Sequence, residues 1–170
     1  MAENQVEEDR PEGPPGETGG GDGTEKYLIF MIQDGLYALP SRLIGEVTVF
    51  EKAFPLPLVP GYVRGIINRY SVPYALIDIG FLLVKNPSAG TKVIVLKEEV
   101  DKLAFLIDDV TDIADIAPGD LLKIEREESA GSAEPEGMGK LVGSSFEWKG
   151  RRVFCLETGE LIGRIKRDFE

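Results

Sequence analysis

Pro60–Leu83, PGYVRGIINRYSVPYALIDIGFLL, decides the fold. Pro60-Gly61 is a turn signal. Val63 to Asn68 is β-rich, and a second β-rich run reaches Asp78 before a short apolar turn over Gly80–Leu83. Strand, break, strand, acid and short helix form one compact unit. A weaker copy lies at Leu141–Ile162, LVGSSFEWKGRRVFCLETGELI. In both, an acid, one residue, Gly, one residue and two aliphatics close the unit. Gly65 precedes Asp78 by 13 positions (65 to 78), and Gly143 precedes Glu157 by 14 (143 to 157). The echo predicts two similar β subdomains on one plan.

Working outward, Lys26 to Gln33 is an unbroken β-prone run, and Asp34-Gly35 is a strong hairpin signal before Leu36–Leu39. A one-turn helix is expected after Pro40. In Gly45–Phe50, Val47 and Val49 face one way and Glu46 and Thr48 the other. Phe54–Val59 alternates proline with aliphatics and belongs at an edge or in a loop. Thr91–Lys97 and Lys102–Ile107 are strands, with further ones at Val110–Ile116 and Leu121–Ile124. Trp148-Lys149-Gly150-Arg151 turns a last hairpin, and Glu160–Phe169 reads as a terminal helix. Many short strands with turn signals about every 8–12 residues predict an all-β barrel or sandwich. Residues 1–24 hold many acids, Pro11, Pro14, Pro15 and Gly19–Gly21, and almost no large apolar residue. Such a segment buries too little surface to offset ordering entropy and is expected to be a disordered tail. Residues 126–140 are expected to be a long mobile loop. Residues 25–168 would form the folded domain.

Composition narrows function. The net charge is −11, with eight acids against two bases in the first 26 residues and 22 against 17 in the rest. Neither part offers a basic footprint for nucleic acid. No apolar run approaches the roughly 18 residues of a membrane span, and the acidic N-terminus lacks a signal-peptide core. One cysteine suits a reducing cytosol. Histidine is absent, which removes the commonest general base and metal ligand. Cys155 alternates within a strand and reads as a buried thiol. Asp108, Asp109, Asp112 and Asp115 lack EF-hand spacing and read as a solvated strand face. No catalytic residue, cofactor or metal is expected. What is left is surface. Tyr62, Tyr70, Tyr74 and Phe81 fall among Arg64 and Arg69, and Tyr and Arg are the residues enriched at protein interfaces; a core-capping role is the other reading.

Val59–Asn68 followed by Ala75–Ile79 resembles the CheW-like family of chemotaxis coupling proteins, whose central pattern is P-x-[FY]-[IV]-x-G-[IV]-x-N-L-R-G-x-[IV]-x-P-[IV]-[IV]-D-L. Tyr27–Phe30, Leu36–Leu39, Ile44–Val47, Val110–Ile113, Leu141–Gly143 and Leu156-Glu157 fit other parts, so the resemblance covers about residues 25–168. It implies two SH3-like five-stranded β-barrels with short helices. The function it implies is non-catalytic adaptor work in the cytoplasm, between the cytoplasmic tip of a chemoreceptor and the regulatory domain of a chemotaxis histidine kinase. An alternative is a CheW-like scaffold recruited to a different assembly. Without a gap, the N-L-R-G turn reads Asn68-Arg69-Tyr70-Ser71, so Tyr70 stands at the motif Arg, Ser71 at its Gly and Ala75 at its Pro. The family's Arg is implied to pair with the acid matched here by Glu46. Arg69, one position off, is expected to face the opposite side. Glu46, Val47, Tyr62, Asn68, Arg69, Tyr70 and Val72 are the candidate protein-binding residues.

Overall fold

The computed structural model describes residues 23–124 and 140–169. The expected tail up to Asp22 and the 126–140 loop, apart from Lys140, lie outside them. Among the described residues, eleven strands form two mixed sheets. In chain order they are β1 (Glu25–Ile32), β2 (Gly35–Pro40), β3 (Ile44–Val49), β4 (Val63–Arg69), β5 (Val72–Asp78), β6 (Lys92–Leu96), β7 (Leu103–Ile107), β8 (Asp109–Ile116), β9 (Leu122–Lys123), β10 (Val142–Trp148) and β11 (Arg151–Leu156). Helix α1 (Ile79–Val84) follows β5, and α2 (Thr158–Asp168) follows β11.

One sheet has the order β8-β1-β2-β11-β10-β9 and the other β3-β6-β7-β5-β4. Apart from the two-residue β9, the orders match. Each sheet has three antiparallel strands, one parallel junction (β2 with β11; β7 with β5) and a closing antiparallel strand. The expected twin β units are present, but one has five strands and the other six. Their edge strands do not hydrogen-bond to each other, so backbone pairing does not close either barrel.

Three apolar clusters explain why so many strands are unbroken hydrophobic runs. Ile67, Tyr74, Leu76, Val93, Val95, Ala104 and Leu106 fill the inner face of the five-stranded sheet. Tyr27, Ile29, Leu36, Ala38, Phe146, Val153 and Cys155 fill that of the six-stranded sheet. The opposite faces meet in a larger shared core with both helices, including Phe30, Leu39, Ile94, Phe105, Leu82 and Leu161. All five residues of β7, LAFLI, are therefore buried, as expected for a strand covered on both faces. Cys155 is buried, and burial raises its thiol pKa to about 11.

The copied unit is real, with one correction to its alignment. Register shifts fall between Val63 and Gly65 and between Val142 and Ser144, so the bulged residues are Arg64 and Gly143. Each then precedes its closing acid by 14 positions (64 to 78 and 143 to 157). In both units the acid's backbone N–H returns to the strand entry at 2.7 Å, Asp78 to Tyr62 O and Glu157 to Leu141 O. Two other expectations shift. The first hairpin turns on Gln33-Asp34 rather than Asp34-Gly35, because Ile32 pairs with Gly35. Asp108 is not on the solvated strand face: it accepts from the Gln33 N–H at 2.5 Å and from the Ser88 hydroxyl. Asp109, Asp112 and Asp115 do lie on β8, in ion pairs with Lys92, Lys149 and Lys26.

Candidate functional site

The five-stranded sheet brings most of the candidate residues to one rim. Tyr70 and Ser71 are the two loop residues of the β4–β5 hairpin, at φ 51° and 65°. Two successive residues with positive φ give the tight turn that matches strand twist. The strand ends at Arg69, which shares the inner face with the buried Ile67 two residues earlier. Across the sheet, Glu46 on β3 opposes Val95 and so shares that inner face. Arg69 and Glu46 meet where the edge strands β4 and β3 approach. Arg69 Nε lies 2.7 Å from Glu46 Oε1, and Nη2 lies 3.0 Å from Oε2. The carboxylate holds the Arg69 guanidinium pKa above its ordinary value.

The expectation that Arg69 faces away from Glu46 is thus overturned. Residues 70 and 71 form the turn and do not continue the strand alternation. A long guanidinium at the strand's last inner-facing position then spans the gap. The two-pronged geometry is the strong form of a charge-assisted pair, although about 30% exposure of each side chain screens it.

The other candidates divide. Tyr70 is 85% exposed, and the Arg69 guanidinium lies 5.2 Å from its ring centroid. Asn68 is exposed beside it. Val72 opposes Arg69 and packs partly against the inner core. Val47 lies on the opposite face of β3 from Glu46 and, with Val49, is exposed. Tyr62 stands apart: it is buried in the shared core, and its hydroxyl donates to Asp168 Oδ2 at 2.6 Å. Burial, then this bond, raises the Tyr62 pKa, while the bond holds Asp168 below the usual carboxylate range. Tyr74 is also core.

Reading the sequence for one rim missed its counterpart. The row Glu46, Val95, Ala104, Leu76 crosses the five-stranded sheet as Asp112, Ile29, Ala38, Cys155 crosses the other. Glu46 therefore corresponds to Asp112. Arg69 and Tyr70 correspond to Trp148 and Lys149, because the second hairpin also turns on two residues of positive φ, Lys149 and Gly150. Lys149 Nζ lies 3.8 Å from Asp112 Oδ2 and 4.6 Å from the Trp148 ring centroid. Both sheets thus join edge to hairpin tip through an acid, a cation and an aromatic ring, with cation and ring exchanged in sequence. The visible signal was Trp-Lys-Gly aligned beneath Arg-Tyr-Ser.

Beside the start of α2 the six-stranded unit carries a groove whose lining includes Tyr27, Arg42, Glu157, Thr158 and Ile162, with Val100 of the β6–β7 connection at its side and Arg42 ion-paired to Glu25 at 2.6 Å. Among the described residues no group of three acids or cysteines is placed to hold a metal, and no helix is long and apolar enough to cross a membrane.

Paired sheets around a shared core, each with an acid, a cation and an aromatic ring at its rim, define a two-sheet β module. The family model for the CheW-like domain matches residues 26–165, and the chain belongs to that family. A solved structure, scaffolding protein TtCheW from Thermoanaerobacter tengcongensis, is 16% identical, covers 79% of this chain and 89% of its own, and superposes with a TM-score of 0.67, a likeness of fold. No curated protein sequence matches the chain.

Proposed function

We propose that this chain is a cytoplasmic, non-catalytic adaptor that couples chemoreceptor tips to the regulatory domain of a chemotaxis histidine kinase. Apolar β surfaces of one sheet unit dock on the kinase domain, and the groove between the units receives a receptor helix. Signal passes by changes in docking. The observation that carries the reading is the Glu46–Arg69 pair: the acid and cation implied by the family resemblance are paired, although the cation comes from a neighbouring sequence position. Glu46, Asn68, Arg69 and Tyr70 then present one rim to partners, and Val47 adds an apolar contact on the other face of β3. Val72 supports the hairpin from beneath, and Tyr62 positions α2.

Pull-down or calorimetry with the host's kinase regulatory domain and receptor tip tests this. Binding to both, weakened at least tenfold by Arg69→Glu, is the expected result; binding to neither overturns it. The second reading, recruitment to a different assembly, rests on Tyr70-Ser71 in place of Arg-Gly. If kinase coupling appears only in the double variant Tyr70→Arg, Ser71→Gly, that second reading holds.

A further inference from the structure

The segment between β3 and β4 places apolar side chains where folding gives them no use. Phe54 is 59% exposed, Leu56 36%, and Leu58 is fully exposed. The segment is nonetheless fixed. Phe54 exchanges two backbone hydrogen bonds of 2.8 Å with Ile66 on β4, and Gly65 leaves room for it: a Cβ there would lie 2.2 Å from Phe54 O. Pro55, Pro57 and Pro60 restrict the backbone further. Leu58 has φ 57°, a left-handed conformation that costs a branched L-residue free energy and that Gly or Asn adopts more readily. Leucine at this position thus goes against both backbone preference and hydration. Local strain retained at a surface position marks function more often than folding.

We infer that Phe54, Leu56 and Leu58 form a preorganised docking face for a partner surface that is apolar at its centre and edged with carboxylates. The charge follows from the flanks. Lys52, exposed, extends over the Phe54 ring at 5.7 Å and supplies the main positive charge; Arg64, at the bulge beside the Gly65 seat of Phe54, is 44% exposed but lies 3.8 Å from the buried Asp78 carboxylate, which takes up part of its charge. Proline bracing lowers the ordering cost of association, as preorganisation generally does.

This inference rests on the adaptor reading, and the test separates the two. The probe is the kinase regulatory domain, measured by calorimetry against wild type, Leu58→Gly and Lys52→Glu, with thermal unfolding of each. The expected result is wild-type binding, at least tenfold weaker binding by Leu58→Gly with an unchanged or higher Tm, and weaker, less salt-sensitive binding by Lys52→Glu. Wild-type binding that Leu58→Gly leaves unchanged overturns this face while the adaptor reading stands. A lower Tm for Leu58→Gly overturns the strain argument. Tighter binding by Lys52→Glu overturns the carboxylate edge. Concentration-dependent self-association of wild type that Leu58→Gly abolishes makes the occupant a second copy and overturns the stated partner. No wild-type binding to the kinase domain or to the receptor tip removes both readings.

Discussion

The two sheets share an order, a bulge, a two-residue hairpin tip and a following helix, yet they secure these parts differently. In the five-stranded unit the fastening is at the start of the helix: buried Asp78 accepts from the Phe81 and Ser88 N–H groups. In the six-stranded unit Glu157 is exposed and makes no side-chain cap, and α2 is held at its far end by Tyr62–Asp168 and by Lys166–Asp101 at 2.9 Å. A common backbone plan does not require common polar contacts. What must recur is a covered apolar face and a satisfied backbone. Polar side chains fasten each copy where local geometry allows.

Substitutions at corresponding places turn this contrast into measurements. The largest effect is expected at the bulges. Gly65→Ala sets a Cβ against the Phe54 backbone at φ 134° and is expected to cost about 3–4 kcal/mol in urea unfolding. Gly143→Ala first meets the movable, exposed Glu157 side chain rather than backbone and is expected to cost under about 1 kcal/mol; equal costs would break the contrast. Next are the helix starts. Asp78→Ala strands buried N–H donors and is expected to cost about 3 kcal/mol, against under about 0.5 for Glu157→Ala.

Tyr62→Phe is expected to cost about 1 kcal/mol and to change the acid limb of the stability curve. Because Asp168 titrates below its unfolded value, its contribution is fully present above the unfolded carboxylate range, near about pH 4, and fades as pH falls through the folded value. Unfolding between pH 3 and 7 should show a shallower acid loss in the variant. The smallest effect separates the rims. A double-mutant cycle is expected to give about 0.5–1 kcal/mol for Glu46–Arg69 and under about 0.3 for Asp112–Lys149, which is single-pronged at 3.8 Å and more exposed. The first coupling should shrink in high salt.

Local chemistry made much of this legible. The runs at β1, β6 and β7 announced strands, Lys149-Gly150 announced a hairpin, and the repeated acid–x–Gly–x–aliphatic pattern announced two units. Glu46, Asn68 and Tyr70, named as candidates from the sequence, lie at one rim of the five-stranded sheet. Long-range pairing was not legible. Nothing local to Leu36 or Val153 specifies that β2 and β11 run side by side. The facing of Arg69 depended on where the strand ended and the turn began, a one-residue matter that an ungapped alignment cannot decide. Tyr62 looked like an interface residue because its partner, Asp168, lies 106 positions away.

The parallel junction between β2 and β11 also governs how the chain is made. Strands β3 to β7 are contiguous, so their sheet can assemble once that stretch has left the ribosome. The other sheet needs the opening hairpin β1–β2 to wait for strands synthesised last, with Ala38 finally beside Cys155, 117 positions on (38 to 155). Until then β8 can already pair with β1, but the other edge, β2, has no neighbour from its own sheet, and this interval is where a nascent chain has most need of a chaperone.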